Sequence, residues 1–205
     1  MKHLIRAALI AFPLSASVAA AQVPVSLNSW SQQSYPAVSG FGAGVWTVAP
    51  GGASVNQSVN GQPTMFASNF NAQGTEVTGR IRGGNSGDDD FIGFALGYRI
   101  GDITNSAADY LLVDWKQGTQ HFDFGAPSNT PGSTANRGLA VSRVTGVPTA
   151  DEFWGHTNFA ADASGGLTEL QRGASLGSAG WVGGTTYDFR FVFLPNLLQV
   201  YVNNA

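Results

Sequence analysis

The sequence predicts an all-β protein, built as a two-sheet antiparallel jelly-roll sandwich. Glycine is abundant, with 27 of 205 residues, whereas the helix-favouring Glu, Lys and Met are scarce. Short apolar runs of alternating polarity are separated by clusters of Gly, Pro, Asn and Asp, which is the pattern of strands joined by turns. Helical patterns do not alternate with these runs, so a parallel α/β sheet is not expected.

The first 21 residues predict a secretory signal peptide. Lys2 and Arg6 form a positive region, residues 4–18 are apolar, and Ala19-Ala20-Ala21 supplies a cleavage site. The apolar run is shorter than the roughly 20 residues that a membrane anchor needs. Cleavage before Gln22 therefore predicts a secreted or cell-surface protein with no membrane span in the mature chain.

Beyond the signal peptide, residues 22–43 are interpreted as a short leader and residues 44–205 as one sandwich domain. Cysteine is absent, so disulfides, thiolate metal sites and cysteine nucleophiles are excluded. Without Lys2 and Arg6, eight basic residues face thirteen acidic ones, a net charge of −5. No basic patch is visible, and nucleic acid is not an expected partner.

Ten strands are predicted along the chain. The run Tyr110 to Lys116 is the strongest candidate for a central strand. Alternation places Leu111, Val113 and Trp115 on one face, and Asp114 and Lys116 on the other. The predicted strands are residues 45–48, 55–59, 65–70, 76–82, 91–98, 110–116, 121–124, 139–144, 187–193 and 197–202.

Three local signals connect or end these strands. Leu194-Pro195-Asn196 predicts a hairpin turn between the last two strands. Residues 151–156 predict one helical turn, with Asp151 as its N-cap. The sequence ends at Asn203-Asn204-Ala205, directly after an apolar strand and on a turn-favouring pair. Because an unpaired strand edge is a liability, we expect the domain to be truncated and its closing strands to lie beyond Ala205.

Several segments, in this order, resemble the thrombospondin C-terminal domain. The longest are Asp88-Asp89-Asp90-Phe91-Ile92-Gly93-Phe94-Ala95-Leu96-Gly97-Tyr98 and Tyr110-Leu111-Leu112-Val113-Asp114-Trp115-Lys116-Gln117. They are followed by Trp154-Gly155-His156-Thr157, Gly180-Trp181 and Tyr187-Asp188-Phe189-Arg190-Phe191. Val45-Trp46-Thr47-Val48 and residues 55–60 match upstream, so the resemblance covers about residues 44–202.

The resemblance implies an L-type-lectin-like jelly roll with bound calcium and an extracellular adhesive or matrix role. Three features depart from the family. Its closing strands after Val202 are missing, and no calcium-binding repeats precede the domain. Leu112-Val113-Asp114 replaces the family's proposed cell-binding Val-Val-Met stretch, which puts binding to an animal-type receptor in doubt.

Asp88, Asp89 and Asp90 are the first candidate metal ligands. Three adjacent carboxylates repel one another unless a cation or hydrogen-bond donors neutralise them, and calcium takes about six to eight oxygen ligands. The preceding residues 83–87 form a Gly-rich loop that can turn carbonyl groups inward. The alternative is a solvated acidic turn. Asp102 and Asp109, and then Asp114 and Asp123, are weaker candidates.

Catalytic sites are not indicated. His121 and His156 lack neighbours at metal-ligand spacing, and each is expected to support a buried hydrogen bond. Glu76, Glu152 and Glu169 do not form the paired-carboxylate pattern of a glycoside hydrolase strand. The protein is therefore predicted not to be an enzyme.

The tryptophans indicate a second possible function. Trp46, Trp115 and Trp181 lie on predicted strands and are expected in the core. Trp154 lies in a Gly-rich connection and is the best candidate for contact with a ligand. The leading hypothesis is a calcium-stabilised adhesion module that binds an extracellular protein or glycan. The alternative is a carbohydrate-binding, lectin-like protein.

Overall fold

The computed structural model describes residues 22–38, 40–85, 87, 89–128, 131–162 and 164–204. The predicted signal peptide at residues 1–21, Asp88 of the acidic loop, and Ala205 lie outside the described residues. Within those residues most of the regular structure is strand, which confirms the predicted all-β class.

The described residues form thirteen strands and one α-helix, α1 (Ala150–Gly155), with two short 3-10 turns at Leu27–Ser29 and Asp102–Thr104. The strands are β1 (Ser31–Ser34), β2 (Trp46–Val48), β3 (Val55–Gln57), β4 (Thr64–Ala67), β5 (Thr75–Arg82), β6 (Phe91–Leu96), β7 (Asp109–Lys116), β8 (Gln120–Phe122), β9 (Ser133–Ala135), β10 (Gly138–Gly146), β11 (Gly165–Arg172), β12 (Thr186–Leu194) and β13 (Leu197–Val202).

Two larger sheets dominate the architecture. One has four strands in the order β11-β10-β7-β6, and the other has three in the order β13-β12-β5. Three two-stranded ribbons, β1-β4, β2-β3 and β8-β9, complete the described sheets. The strand pairings are antiparallel. The β12-β13 hairpin turns at Pro195 and Asn196, as the sequence predicts.

The main core lies between the two larger sheets. Val113 and Trp115 of β7 meet Phe189 and Phe191 of β12, and none of the four is more than 2% exposed. The Trp115 ring centroid lies 4.7 Å from that of Tyr187, which joins the two layers directly. The arrangement is an antiparallel sandwich, and the predicted inward face of β7 is confirmed.

A second apolar cluster covers the other face of the four-stranded sheet. Tyr110 and Leu112, the two apolar even-numbered positions of β7, pack there with Leu167 of β11 and Phe153 of α1. Tyr35, just after β1, is 6% exposed in the same cluster, with its ring 4.8 Å from that of Phe153. Part of the segment interpreted as a leader thus packs against the sandwich. Both faces of β7 are buried.

Helix α1 begins differently from the sequence prediction. Its N-cap is Thr149, whose hydroxyl accepts from the Glu152 amide while the Glu152 carboxylate accepts from the Thr149 amide. Asp151, predicted as the cap, is instead fully buried inside the helix, where Oδ1 accepts from the Phe124 amide at 3.0 Å. A Thr with Glu three residues later forms a reciprocal capping box, which satisfies two helix-end amides at once.

Trp46 also differs from its predicted position. Trp115 and Trp181 lie in the main core as expected, but Trp46 is half-buried and stacks on Phe66 with ring centroids 5.6 Å apart. It belongs to the separate β2-β3 ribbon, which does not contribute to the sheets that enclose the core. Among the described residues, no helix has the length and apolar character needed to cross a membrane.

Candidate functional site

The acidic loop leads directly into β6, at the edge of the four-stranded sheet. Asp89 and Asp90 are half-buried. The Asp89 carbonyl oxygen accepts a hydrogen bond from Nζ of Lys116. The Asp90 carbonyl oxygen accepts from Nε1 of Trp181 at 2.9 Å and from the Gln117 amide at 3.3 Å. These two carbonyl groups therefore point at protein donors.

Lys116 ends β7 and its side chain is fully buried. Besides Asp89, its ammonium donates to Oε1 of Gln120 at 3.3 Å. The same nitrogen lies 4.2 Å from the centre of the Trp154 ring and 5.4 Å from that of Phe91. Aromatic faces attract a cation, and the attraction is stronger when the cation is shielded from water. Oxygen acceptors and ring faces together thus surround this charge.

Trp154, the predicted ligand contact, is half-buried on α1. Its Nε1 donates to the Gln120 carbonyl oxygen at 3.1 Å. Its ring packs edge-on against Phe91 and Phe124, each at a centroid distance of 5.8 Å. The described contacts of Trp154 therefore include one wall around Lys116, and its role in binding a ligand stays a prediction.

A second group of buried charges lies beside Lys116, where α1 ends. His156 adopts a left-handed backbone, with φ 51°, and stacks on Phe91 with ring centroids 4.9 Å apart. Its Nε2 lies 3.0 Å from Oδ2 of Asp114, and both side chains are at least nine-tenths buried. Its Nδ1 lies 3.3 Å from the Ser142 hydroxyl and 3.7 Å from Oε2 of Glu169. The predicted buried hydrogen bond of His156 is confirmed, but that of His121 is wrong, because His121 is exposed where its Nδ1 lies 3.1 Å from the Thr134 hydroxyl.

The charges in this group stabilise one another. Burial lowers the pKa of His156, but the neighbouring Asp114 and Glu169 carboxylates outweigh it and raise that pKa to about 9. The pKa of Glu169 is lowered to about 2 by its interactions with His156 and Arg172, which outweigh the opposite effect of burial. At neutral pH an imidazolium is therefore held between two carboxylates. Arg172 contacts Glu169 at 2.8 Å and completes the row of alternating charge.

The sequence of contacts Ser142–His156–Asp114 has the composition of a hydrolase triad but not its chemistry. Ser142 is fully buried, so its hydroxyl is out of reach of a substrate. A histidine that is already protonated at neutral pH cannot accept the serine proton. The network instead ties α1 to the sheet through β7, β10 and β11.

The weaker metal candidates are each engaged in local contacts. Asp102 is buried, and its two carboxylate oxygens accept from the Arg99 amide at 2.8 Å and from Asn105 Nδ2 at 3.0 Å. Asp109 binds Arg143 through both oxygens, at 2.8 and 2.6 Å, and this hydrogen bonding lowers the pKa of Asp109.

Asp123 and Asp114 have local partners as well. Asp123 accepts from the Gly125 amide at 2.7 Å, in a turn after β8. Asp114 belongs to the His156 network described above. Asp102 and Asp109 line one small pocket together, whereas Asp114 lies in the His156 network.

Calcium requires about six to eight oxygen ligands. Within the described ranges, no three His, Asp or Glu side chains converge as a metal cluster. The Asp89 and Asp90 carbonyl oxygens already accept from protein donors. A calcium ion at this loop would therefore depend on side-chain carboxylates rather than on these two carbonyl groups.

A separate cavity of about 1200 Å³ lies between β4, β6 and the β12-β13 hairpin. None of the acidic-loop residues that the structure describes lines it. Its walls include exposed or half-buried aromatic rings together with amide side chains. Examples are Trp30, Trp46, Phe70, Asn69, Asn71 and Gln73.

Sequence reasoning missed how Lys116, His156 and Glu169 are placed. Glu169 lies on β11, which was not predicted as a strand, and so its approach to His156 was not foreseen. The alternation of side chains along β7 did correctly predict that Asp114 and Lys116 lie on the same face of that strand.

Comparison with known proteins gives a match to a protein family. The family profile described as the thrombospondin C-terminal region matches residues 42–203. No curated protein matches the chain. The matched segment contains the acidic loop, Lys116 and the His156 network, and it agrees closely with the range of the resemblance seen in the sequence.

Proposed function

Because the chain belongs to the thrombospondin C-terminal region family, we propose that it is a non-catalytic binding module that acts outside the cell in adhesion or matrix assembly. The family match across residues 42–203 is the observation that carries this proposal. The predicted signal peptide supports an extracellular location. Because Ser142 is fully buried and His156 is already protonated, the described Ser–His–Asp contact is better suited to a structural role than to catalysis.

We further propose that calcium binds the acidic loop as a structural ion. The support is the run of three carboxylates at residues 88–90, the Gly-rich segment before it, and the preference of calcium for hard oxygen ligands. The ion would lie on the solvent side, since Lys116 approaches the loop from the protein side. Calcium there would stabilise the entrance to β6 and take no part in a reaction.

Thermal unfolding with calcium and with chelator tests this proposal. A ligand that binds only the folded state raises stability by about 2.7 kcal/mol at a hundredfold excess over its Kd. We expect calcium to raise the Tm of the wild type, and the double variant D88N/D90N to lose that response. D102N/D109N is the matched control, and it should keep the response. An equal Tm with calcium and chelator in a well-folded wild type would reject the site.

The second candidate function is carbohydrate binding. The specific observation in its favour is the cavity that Trp30 and Trp46 line together with amide side chains, since sugars stack on aromatic rings and bond to amides. A glycan array read with W46A and W154A separates the two possible places. Loss of binding in W46A would assign the cavity, loss in W154A would assign the predicted Trp154 contact, and a blank array for the wild type would count against this function.

A further inference from the structure

The cavity of about 1200 Å³ follows the main chain of two strands rather than one of their faces. Residues 64–73, which include β4, and residues 93–100, which include the end of β6, line it without a gap. Because successive side chains of a strand point to opposite faces, a cavity over one face would be lined by every second residue. The unbroken runs therefore indicate that the cavity lies between an edge of β4 and an edge of β6, and we call it the edge slot.

Both of these edges lack a strand partner among the described residues. β6 is the last strand of the four-stranded sheet, and β4 pairs only with β1. The Gln117 amide donates to the Asp90 carbonyl oxygen directly before the paired run of β6 with β7. Since hydrogen-bonded and non-hydrogen-bonded pairs alternate in an antiparallel ladder, the main-chain groups of Gly93 and Ala95 point away from β7. Within the described part of the chain, no main-chain bond uses them.

An added strand in the edge slot would join two separate sheets. Neighbouring strands lie about 4.8 Å apart, and one chain placed between β4 and β6 would hydrogen-bond to both edges. The strands β11-β10-β7-β6, the added strand and the β4-β1 ribbon would then form one continuous sheet. The volume of the slot also exceeds the roughly 300–1,000 Å³ of pockets that hold small ligands. The slot therefore suits a polypeptide better than a small molecule.

The walls and rim of the edge slot favour a mainly apolar chain. Inside, the slot is lined by Leu96, Phe191 and Phe193, which belong to the main core. At the rim, Phe70 and Leu197 are 52% and 47% exposed. Exposed apolar surface that forms a patch marks sites of interaction with other proteins.

One charge at the edge slot is available to a partner. Of the described residues that line the slot, only Arg99 and Asp109 are charged. Asp109 is bound through both oxygens to Arg143. Arg99 is exposed and takes part in none of the ion pairs found among the described residues. A chain that places an acidic residue beside Arg99 is therefore complementary in charge.

We propose that the edge slot binds an extended strand of an extracellular partner protein, with mainly apolar side chains and an acidic residue that meets Arg99. This inference rests on the proposed role in adhesion or matrix assembly and names how the partner is held. Main-chain bonds to Gly93 and Ala95 supply affinity, and pockets for alternate side chains supply specificity. Strand addition of this kind needs neither a metal nor a catalytic group.

Fluorescence anisotropy with a synthetic peptide tests the proposal on the mature protein. The probe is a fluorescein-labelled strand of about eight residues, with alternating valine and threonine and one aspartate near its end. We expect saturable binding. The matched control peptide has the same side chains but carries N-methyl groups on alternate amides, which removes the donors along one edge. It should bind about tenfold more weakly; equal binding by the two peptides would show apolar adsorption and would overturn the proposal.

Variants at two positions test where the peptide binds. A95P removes an outward amide that no described bond of the fold uses, and proline is tolerated at a sheet edge. We expect A95P to lose binding of the probe and A95G, which keeps the amide, to retain it. R99Q should remove the preference for the aspartate peptide over its asparagine analogue. Retained binding in A95P, or an unchanged preference in R99Q, would contradict the placement in the slot.

Hydrogen exchange of the wild type keeps the test valid if A95P does not fold. The amides of Gly93 and Ala95 should exchange more slowly once the probe is bound, because they then donate to it. Exchange that stays the same at both positions while the probe is bound would overturn the proposal.

The remaining outcomes separate this inference from the proposed function. No binding of the probe by a folded wild type overturns the inference and leaves the extracellular binding role standing, since that role is carried by the family match. A glycan that binds the wild type and not W46A, without binding of the probe, assigns the slot to a sugar. A dimer in sedimentation that A95P abolishes assigns it to a second copy. If a chain extended beyond Ala205 no longer binds the probe, the slot belongs to the protein's own strand. Each of these three results overturns the partner strand.

Discussion

His156 at the end of α1 lies 3.0 Å from Asp114 of β7, and both side chains are at least nine-tenths buried. This contact joins the one α-helix of the described residues to a central strand of the four-stranded sheet. Glu169 of β11 approaches the opposite nitrogen of the ring at 3.7 Å. The imidazolium thus bridges two strands that flank β10, and its charge becomes part of the stability of the sandwich.

The first prediction concerns alkaline pH. The pKa of His156 rises from 6.5 in the unfolded chain to about 9 in the folded one. Its contribution is therefore complete below pH 6.5 and is lost as the pH rises through 9, in total roughly 3 kcal/mol. Urea unfolding at pH 6, 8 and 10 measures it. H156Q should lose this dependence, and H121Q, at an exposed site, should keep it; equal pH profiles for H156Q and the wild type would contradict the prediction.

The second prediction concerns acid. The pKa of Glu169 falls from 4.5 to about 2 in the folded protein. Its contribution is present above pH 4.5 and is lost as the pH falls through 2. The stability of E169Q should fall less than that of the wild type as the pH is lowered from 4.5 to 2. E169Q should also lower the pKa of His156, which the imidazole C2 proton signal reports. E76Q removes a partner of Arg190 at a more exposed pair and serves as the control. An unchanged His156 titration in E169Q would show that the two groups are not coupled.

The third prediction concerns the start of α1. T149A removes the hydroxyl that accepts from the Glu152 amide at 3.3 Å. It leaves only the other hydrogen bond of the capping box, in which the Glu152 carboxylate accepts from the backbone amide of residue 149. Loss of such a cap costs about 1 kcal/mol. Chemical denaturation should show that loss for T149A and almost none for T185A, at an exposed threonine outside the helix. Equal stability of the two variants would mean that the box contributes nothing measurable.

The fourth prediction concerns the close pairing of β6 with β7. A Cβ added at Gly93 would lie 2.3 Å from the Val113 carbonyl oxygen and 2.7 Å from Cα of Asp114. Because these contacts are with main chain, the strands must separate, and G93A should lose more than about 2 kcal/mol of stability. G42A is the control, since no atom lies within 4 Å of its added Cβ. A G93A protein as stable as G42A would show that the pairing can adjust.

The sequence predicted the strands whose pattern is strong on its own. For β7, the alternation of side chains along a strand correctly placed Val113 and Trp115 together on one face, the face that packs in the main core. The polar strand β1 and the three-residue strand β9 were missed, since neither carries a periodic apolar signal. β11 begins with two glycines, Gly165 and Gly166, which have low strand propensity, and its only apolar side chains are those of Leu167 and Leu170. It forms because β10 offers it a long antiparallel partner.

The candidate site was predictable only where it is local. The aspartate run is visible in the sequence, and so is the Thr149 and Glu152 spacing of a capping box, although Asp151 was the residue chosen. Contacts of His156 with Asp114 and of Lys116 with Asp89 join residues far apart in the chain. They depend on the register of β7 with β6 and β10, and a single sequence does not specify that register.

The pairing of β5 with β12 constrains the order in which the molecule can assemble. Arg80 and Asp188 meet across that pairing although they are 108 residues apart in the chain. The four-stranded sheet is made entirely of segments that precede β12, so it can form first during synthesis. Its inner face would then wait, uncovered, for the middle strand of the other sheet. Long-range closure of this kind is slow and exposes apolar surface. Newly made chains should therefore be most prone to aggregation in the interval before β12 arrives.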